Sequence, residues 1–178
     1  HWNDTLPSPL STILWRYESF GESKIKEKIA SLEGFFEALL MFLTCIVIGA
    51  AKNDPDFKEM HFDEWNKRIK EHLNVDPLNK VSRAQMSIIH EISSKKIRKD
   101  LDNLDPEKGL TREFWQTKFA CQDLQLLREI VGKPVINIVA KANELRNDAH
   151  HEGLITDDLL HERISSYRLL LHEVQSIF

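Results

Sequence analysis

Polar side chains that could act on a phosphodiester crowd one short stretch near the carboxyl end of the chain. Arg146 and Asn147 are followed by the adjacent pair His150 and His151, and Gly153 comes shortly after them. Arginine stays charged at every relevant pH, and its planar guanidinium matches the oxygens of a phosphate. Histidine is the side chain that exchanges a proton near neutral pH. Residues of these types could together cleave RNA without a metal ion, if they form a site.

An amphipathic helix has to position these groups. Apolar residues recur at i, i+3 and i+4 along 135–149, which predicts a helix over 135–150 that packs one face into a helical core. Arg146 lies at the edge of that face. Positions four residues apart are neighbours on a helix, so Arg146 is one turn from His150, and Asn147 is one turn from His151. The four polar groups therefore occupy the end of the helix, and the glycine that follows predicts its cap.

The rest of the chain shows the same helical periodicity and no strand pattern. Ser8 is the expected N-cap of the first helix and Thr156 that of the last, since both precede apolar-periodic segments. The pattern predicts further helices over 8–20, 23–52, 55–73, 81–101, 111–131 and 156–176, with a loop at 74–79. The expected fold class is all-α, a bundle of about five to seven helices.

Length and charge limit the functional classes. A chain of 178 residues predicts a single domain over 1–178. The net charge is −4, so the surface as a whole does not attract nucleic acid, and any such site has to be a local patch. The chain begins with His1 in place of Met, from which we expect a domain excised from a longer protein.

The uncharged run 38–51 predicts the central helix of a soluble protein. It is shorter than the roughly 20 apolar residues that a membrane span requires. Cys45 and Cys121 lie in helical, mostly apolar settings and are expected to be reduced core residues. We therefore expect a cytoplasmic protein with no membrane partner.

A metal centre is the rival chemistry for the histidines. His161 and His172 also lie in the last third, but they are about three turns apart on one helix and cannot share an ion. The chain contains neither a His-Glu-x-x-His pattern nor paired cysteines. No metal and no cofactor are expected. The acidic residues of 56–71 alternate with Lys58, Lys67 and Arg68, which is typical of a solvated helix face.

One basic segment could contribute to nucleic-acid binding. Lys95, Lys96, Arg98 and Lys99 form the densest positive run of the chain and could guide RNA phosphates toward the site. The alternative is that they complement the negative end of the helix dipole. The tryptophans have apolar neighbours and are expected to pack in the core (Trp15, Trp65 and Trp115).

Residues 145–153, LRNDAHHEG, resemble the motif of HEPN domains, in which an arginine, often followed by asparagine, precedes a histidine by four to six residues. Arg146 and His151 fit that spacing, and Asn147 and Gly153 are also present. The doubled histidine departs from the pattern, because His150 leaves only three intervening residues. The long apolar second helix also suits a HEPN bundle.

The resemblance implies a metal-independent ribonuclease of bacterial defence or toxin systems. It implies that His151 is the acid or base, with His150 as an auxiliary, that Arg146 stabilises the transition state, and that Asn147 positions Arg146 or the phosphate. Two subunits would pair so that both motifs line one cleft, and the product would carry a 2′,3′-cyclic phosphate.

Other readings of the same residues stay open. The bundle could be a non-catalytic HEPN-like module for dimerisation or partner binding in a larger protein. It could also bind nucleotides, or be a toxin held inactive by a cognate antitoxin or dependent on an activating domain. Arg146 could be a surface charge paired with Glu144, Asp148 or an acidic residue of the last helix. The histidines could simply satisfy the last carbonyls of their helix.

Overall fold

The protein is described here by a computed structural model that covers residues 2–73, 82–151 and 156–178, with the backbone alone for 148–151. Every regular element in these ranges is helical, which confirms the all-α prediction. Six α-helices have eleven residues or more, and two have seven. The predicted loop at 74–79 and the predicted cap at Gly153 lie outside the described residues. The chain divides into two compact units.

Unit 1 comprises His1–Leu39 and Asn137–Phe178. It contains a 3-10 turn at Trp2–Thr5, α1 (Ser8–Ser19), the first part of α2 (Ile25–Ala51), most of α7 (Lys133–His151) and α8 (Asp157–Ile177). Its core is apolar and aromatic: the ring of Phe36 stacks on Tyr167 at 5.8 Å between centroids. Thr156 caps α8 as predicted, because its side chain accepts a hydrogen bond from the backbone N–H of Leu159.

Unit 2 comprises Leu40–Ile136. It contains the rest of α2, a single π-helical turn at Lys58–Phe62, α3 (Asp63–Leu73), α4 (Arg83–Asp102), α5 (Arg112–Lys118), α6 (Leu124–Ile130) and the start of α7. The apolar stripes of α3 and α4 meet in a core cluster that includes Trp65, Ile69, Ile89 and Ile92. This packing is what the helical periodicity of both segments predicts.

Two predicted helix boundaries are wrong. The N-cap of α1 is Pro7 and not Ser8, so Ser8 and Pro9 form the first helical turn, which proline tolerates because the N–H groups there are unbonded. The predicted helix over 111–131 is two helices, broken after Lys118. Ala120 lies at the break and has φ +46°, a left-handed conformation. This conformation usually favours glycine, and the segment contains none, so the break was not predicted. Asp123 then caps α6 by accepting hydrogen bonds from two backbone N–H groups.

Helix α2 is long and apolar enough, by length and composition alone, to cross a membrane. Its most apolar window has a mean hydropathy of 2.1, and half of that window is buried within the protein. Burial of this kind is also typical of the central helix of a helical core.

Two expectations about core residues are wrong. Cys45 is exposed and Cys121 is partly exposed, so neither thiol is a core group, although both are free. Trp15 is 53% exposed, whereas Trp65 and Trp115 are buried as predicted. These side chains have apolar neighbours along the sequence, but which face of a helix is covered depends on how the other helices pack against it.

Candidate functional site

Helix α7 carries the candidate catalytic residues at its carboxyl end. It begins at Lys133 with Pro134 in its first turn, where a missing N–H costs nothing. Its apolar stripe is buried, as predicted, at four positions (Val135, Ile138, Val139 and Ala142). This buried stripe packs the first part of the helix against its neighbours. The positions from 144 to 147 lie near the carboxyl end of the helix and are more exposed.

The Arg146 guanidinium lies beside a carboxylate of helix α2. Its Nη1 is 3.4 Å from Glu37 Oε2, and the Arg146 side chain is 31% exposed. This partner is none of those predicted, which were Glu144, Asp148 and an acidic residue of the last helix. Glu37 lies 109 positions away in the chain. A part-exposed ion pair at this distance contributes only about 0–1 kcal/mol. A phosphate could therefore compete with Glu37 for the guanidinium.

Asn147 is the next residue and is exposed. Helix α7 continues through His151, so the backbone of both histidines belongs to its last turn, while the side chains of His150 and His151 lie outside the description. Positions 146 and 150 are one turn apart on this helix. Positions 146 and 151 are separated by about 140° around the helix axis, since successive residues advance by about 100°. Within one subunit, the helix therefore places position 150, and not 151, on the arginine's face.

The predicted RNA-binding segment belongs to unit 2, and the structure divides its four residues between two settings. Arg98 donates a hydrogen bond to the carbonyl of Val131 at 3.0 Å and so satisfies the end of α6. Lys95, Lys96 and Lys99 line a groove of about 410 Å³ beside α3, together with Arg68. Sequence reasoning assigned Arg68 to a solvated face and missed this grouping, which only the packing of α3 on α4 creates.

Unit 2 also contains a buried polar cluster that was not predicted from the sequence. Trp65 Nε1 donates to Ser93 Oγ at 3.0 Å, and His61 Nδ1 lies 3.1 Å from the same oxygen. Ser93 can then donate its own proton to the imidazole, which suits a neutral histidine. Burial, followed by the charge of Lys96, lowers the pKa of His61 to about 4. These groups are enclosed, so they stabilise the unit and offer no open site.

An ion triad lies nearby in the same unit. Lys118 Nζ is 3.0 Å from Asp54 Oδ2 and 3.0 Å from Asp100 Oδ2. Although burial lowers the pKa of Lys118, the hydrogen bonds to both carboxylates raise it above its ordinary value on balance. The ammonium therefore stays charged and holds together three segments of unit 2.

Across the described ranges, no group of three His, Cys, Asp or Glu side chains is placed to hold a metal ion. The candidate functional groups among the described residues are Arg146 and Asn147 in unit 1 and the cations of the groove in unit 2. The chain matches no family model, and no curated protein or solved structure is significantly similar to it. Its function therefore has to be inferred from these residues themselves.

Proposed function

We propose that the protein is a metal-independent RNA endonuclease of the HEPN type, acting in a bacterial defence or toxin system in the cytoplasm. The observation that carries this proposal is the part-exposed Arg146–Asn147 pair near the end of α7, with two histidines about one turn further along the same helix. Arginine and histidine together supply charge stabilisation and proton transfer, which are the two requirements of RNA cleavage through the 2′-hydroxyl.

The chemistry needs no cofactor. A histidine removes the proton of the 2′-hydroxyl, and the oxygen attacks the adjacent phosphorus. The 5′-oxygen of the next nucleotide leaves and takes a proton from a second histidine. Arg146 stabilises the additional negative charge on the phosphorane-like transition state, and Asn147 positions Arg146 or the phosphate. The products are a 2′,3′-cyclic phosphate and a 5′-hydroxyl end.

A homodimer would complete the site. One subunit presents a single Arg146 in a protein of net charge −4, which is little positive charge to hold an RNA. Two copies that bring the ends of their α7 helices together would double the guanidinium and imidazole groups in one cleft. In that arrangement His151 of one copy can serve the Arg146 of the other, so the angular separation within one helix does not exclude it. A cognate antitoxin or an activating domain would control the dimer.

The test is cleavage of a mixed tRNA and mRNA substrate in excess chelator. The variants are Arg146→Ala, His150→Ala and His151→Ala, with Arg112→Ala on the exposed side of α5 as the matched control. We expect the wild type and the control to cleave, and Arg146→Ala to lose at least about 100-fold in rate, as expected for removal of a group that stabilises transition-state charge. Retention of full activity by Arg146→Ala would place the site elsewhere.

The two histidine variants separate two arrangements. A larger loss in His150→Ala indicates a histidine that acts beside the arginine of its own helix. A larger loss in His151→Ala indicates the HEPN spacing and, with it, a site shared between subunits. Glu37→Gln removes the carboxylate beside Arg146, so we expect equal or faster cleavage by this variant if the ion pair competes with the phosphate.

A second candidate function is a non-catalytic partner-binding module, and one surface favours it. Leu169 is 67% exposed and lines a cavity of about 290 Å³ between α7 and α8, together with Leu145 and Leu170. Exposed apolar patches on soluble proteins commonly mark interaction surfaces. Under this hypothesis, Leu169→Lys abolishes self-association in sedimentation experiments, and Arg146→Ala changes no measurable property.

A further inference from the structure

The groove between α3 and α4 concentrates positive charge in a protein whose net charge is negative. Arg68 comes from α3, and Lys95, Lys96 and Lys99 come from α4, while Ile92 forms an apolar floor. Two carboxylates, those of Glu64 and Glu91, also reach the groove. Four cations against two anions leave a local positive excess on a chain of net charge −4.

Most of these cations have no carboxylate of their own. Lys95 lies 3.9 Å from Glu91, the long limit of an ion pair, and its side chain is 66% exposed. Throughout the ranges that the structure describes, Arg68, Lys96 and Lys99 form no ion pair or hydrogen bond. The charge of Lys96 reaches the buried His61, whose pKa is lowered first by burial and then by this lysine. The groove therefore keeps an unneutralised positive field.

We propose that this groove binds the phosphodiester backbone of RNA, and the choice of RNA rests on the proposed function. Lys95 and Lys99 are one turn apart, about 6 Å along the helix axis, which is comparable to the separation of successive phosphates along a strand. Lys96 lines the groove from the same helix, and Arg68 lines it from α3. Arginine and lysine that neutralise phosphates bind any sequence through charge.

The composition of the groove favours a backbone over a nucleotide as the ligand. Its lining contains no aromatic side chain on which a base could stack. A site that recognised a mononucleotide would need such a platform or base-edge hydrogen bonds. The expected binding is therefore independent of base identity and strongly dependent on salt. Arg98, which the sequence analysis grouped with the lysines, is engaged by Val131 and lies outside the groove lining.

The experiment is a fluorescence-anisotropy titration with a labelled oligouridine of about 12 nucleotides, in chelator, between about 50 and 200 mM salt. The variants are Arg68→Ala, Lys96→Ala and Lys99→Ala, and every protein in the titration also carries Arg146→Ala so that the RNA is not cleaved. Lys67→Ala is the matched control, because Lys67 is exposed on α3 but does not line the groove. We expect each groove variant to weaken binding several-fold and to lower the slope of log affinity against log salt by about 0.7.

The outcomes separate this inference from the proposed function. If the groove variants bind less RNA but the wild type cleaves none, the groove is a phosphate site and the nuclease proposal fails. If the wild type cleaves and all groove variants bind like Lys67→Ala, the nuclease proposal stands and the groove inference is overturned. Groove variants that also lose binding to oligoadenosine support backbone recognition.

Two further probes identify other ligands. Complete displacement of the RNA by millimolar inorganic phosphate would indicate a site for free phosphate and overturn the inference. Binding to phosphatidylglycerol vesicles, with no binding to RNA, would assign the groove to an anionic membrane surface and overturn it as well. Thermal unfolding of every variant is measured alongside, and loss of binding in a variant that melts like the wild type supports the groove as the cause.

Discussion

Acidification to about pH 5 is expected to destabilise the protein through two buried histidines of unit 2. His90 is 1% exposed, and its Nε2 has no hydrogen-bond partner in the part of the chain that the structure describes. Burial lowers the pKa of His90 from 6.5 to about 4. Burial, with the charge of Lys96, lowers the pKa of His61 to about 4 as well. Both imidazoles are therefore neutral in the folded protein at neutral pH.

The direction of the effect follows from the state that takes up the proton. In the unfolded chain a histidine titrates near 6.5, whereas these two in the folded protein titrate near 4. Their contribution to stability is complete above about pH 6.5 and is lost as the pH falls toward 4. One pKa unit corresponds to about 1.36 kcal/mol, so each histidine costs about 2 kcal/mol at pH 5 and about 3 kcal/mol below pH 4.

The assay is urea unfolding followed by tryptophan fluorescence at about pH 7.5 and about pH 5. The test variant is His90→Leu, which keeps a helix-forming residue of similar size at a buried position of α4. We expect the wild type to lose about 4 kcal/mol on acidification and His90→Leu to lose about 2 kcal/mol, since one titrating group is gone. His161→Leu, at an exposed position of α8, is the control for the substitution itself. An equal loss in the wild type and in His90→Leu would refute the reasoning.

Three further predictions concern named contacts. Lys118→Met leaves two carboxylates without their cation and should cost about 3 kcal/mol in urea unfolding, whereas Lys108→Met, at an exposed ion pair, should cost less than about 1 kcal/mol. Equal costs would show that the triad is unimportant. Thr156→Ala should destabilise the protein by about 1 kcal/mol through loss of the α8 cap, while Thr156→Ser should not; similar values for both would contradict the capping role. Cys45 should react with maleimide in the native protein faster than Cys121, as mass spectrometry of the labelled peptides would report; the reverse order would contradict the exposures.

The helices follow closely from the sequence, because their causes are local. The stripe along α7 and the threonine cap of α8 are set by residues within four positions of one another. The break between α5 and α6 was missed because neither glycine nor proline marks it; Asp123, a favourable N-cap residue, was the available signal. The π-helical turn at Lys58–Phe62 was missed for a similar reason, since a single wider turn leaves the apolar periodicity almost unchanged.

The candidate site was only half predictable. The type and order of the residues from Arg146 to His151 predict phosphodiester chemistry from the sequence alone, and this stays a prediction. Because the helix is continuous through position 151, position 150 and not position 151 lies on the same face as Arg146 within one subunit. The cationic groove needed the structure, because Arg68 comes from a different helix than the three lysines.

The sequence by itself determined the all-α class, most helix boundaries and the set of residues that could carry out chemistry, since periodicity and caps act over a few positions. Only the tertiary structure decided the partners. It placed Glu37 beside Arg146 across 109 positions, placed Lys118 between Asp54 and Asp100, and buried His90 in the interior. These contacts depend on which helix faces meet, and that choice is made by packing between distant segments, which no local pattern encodes.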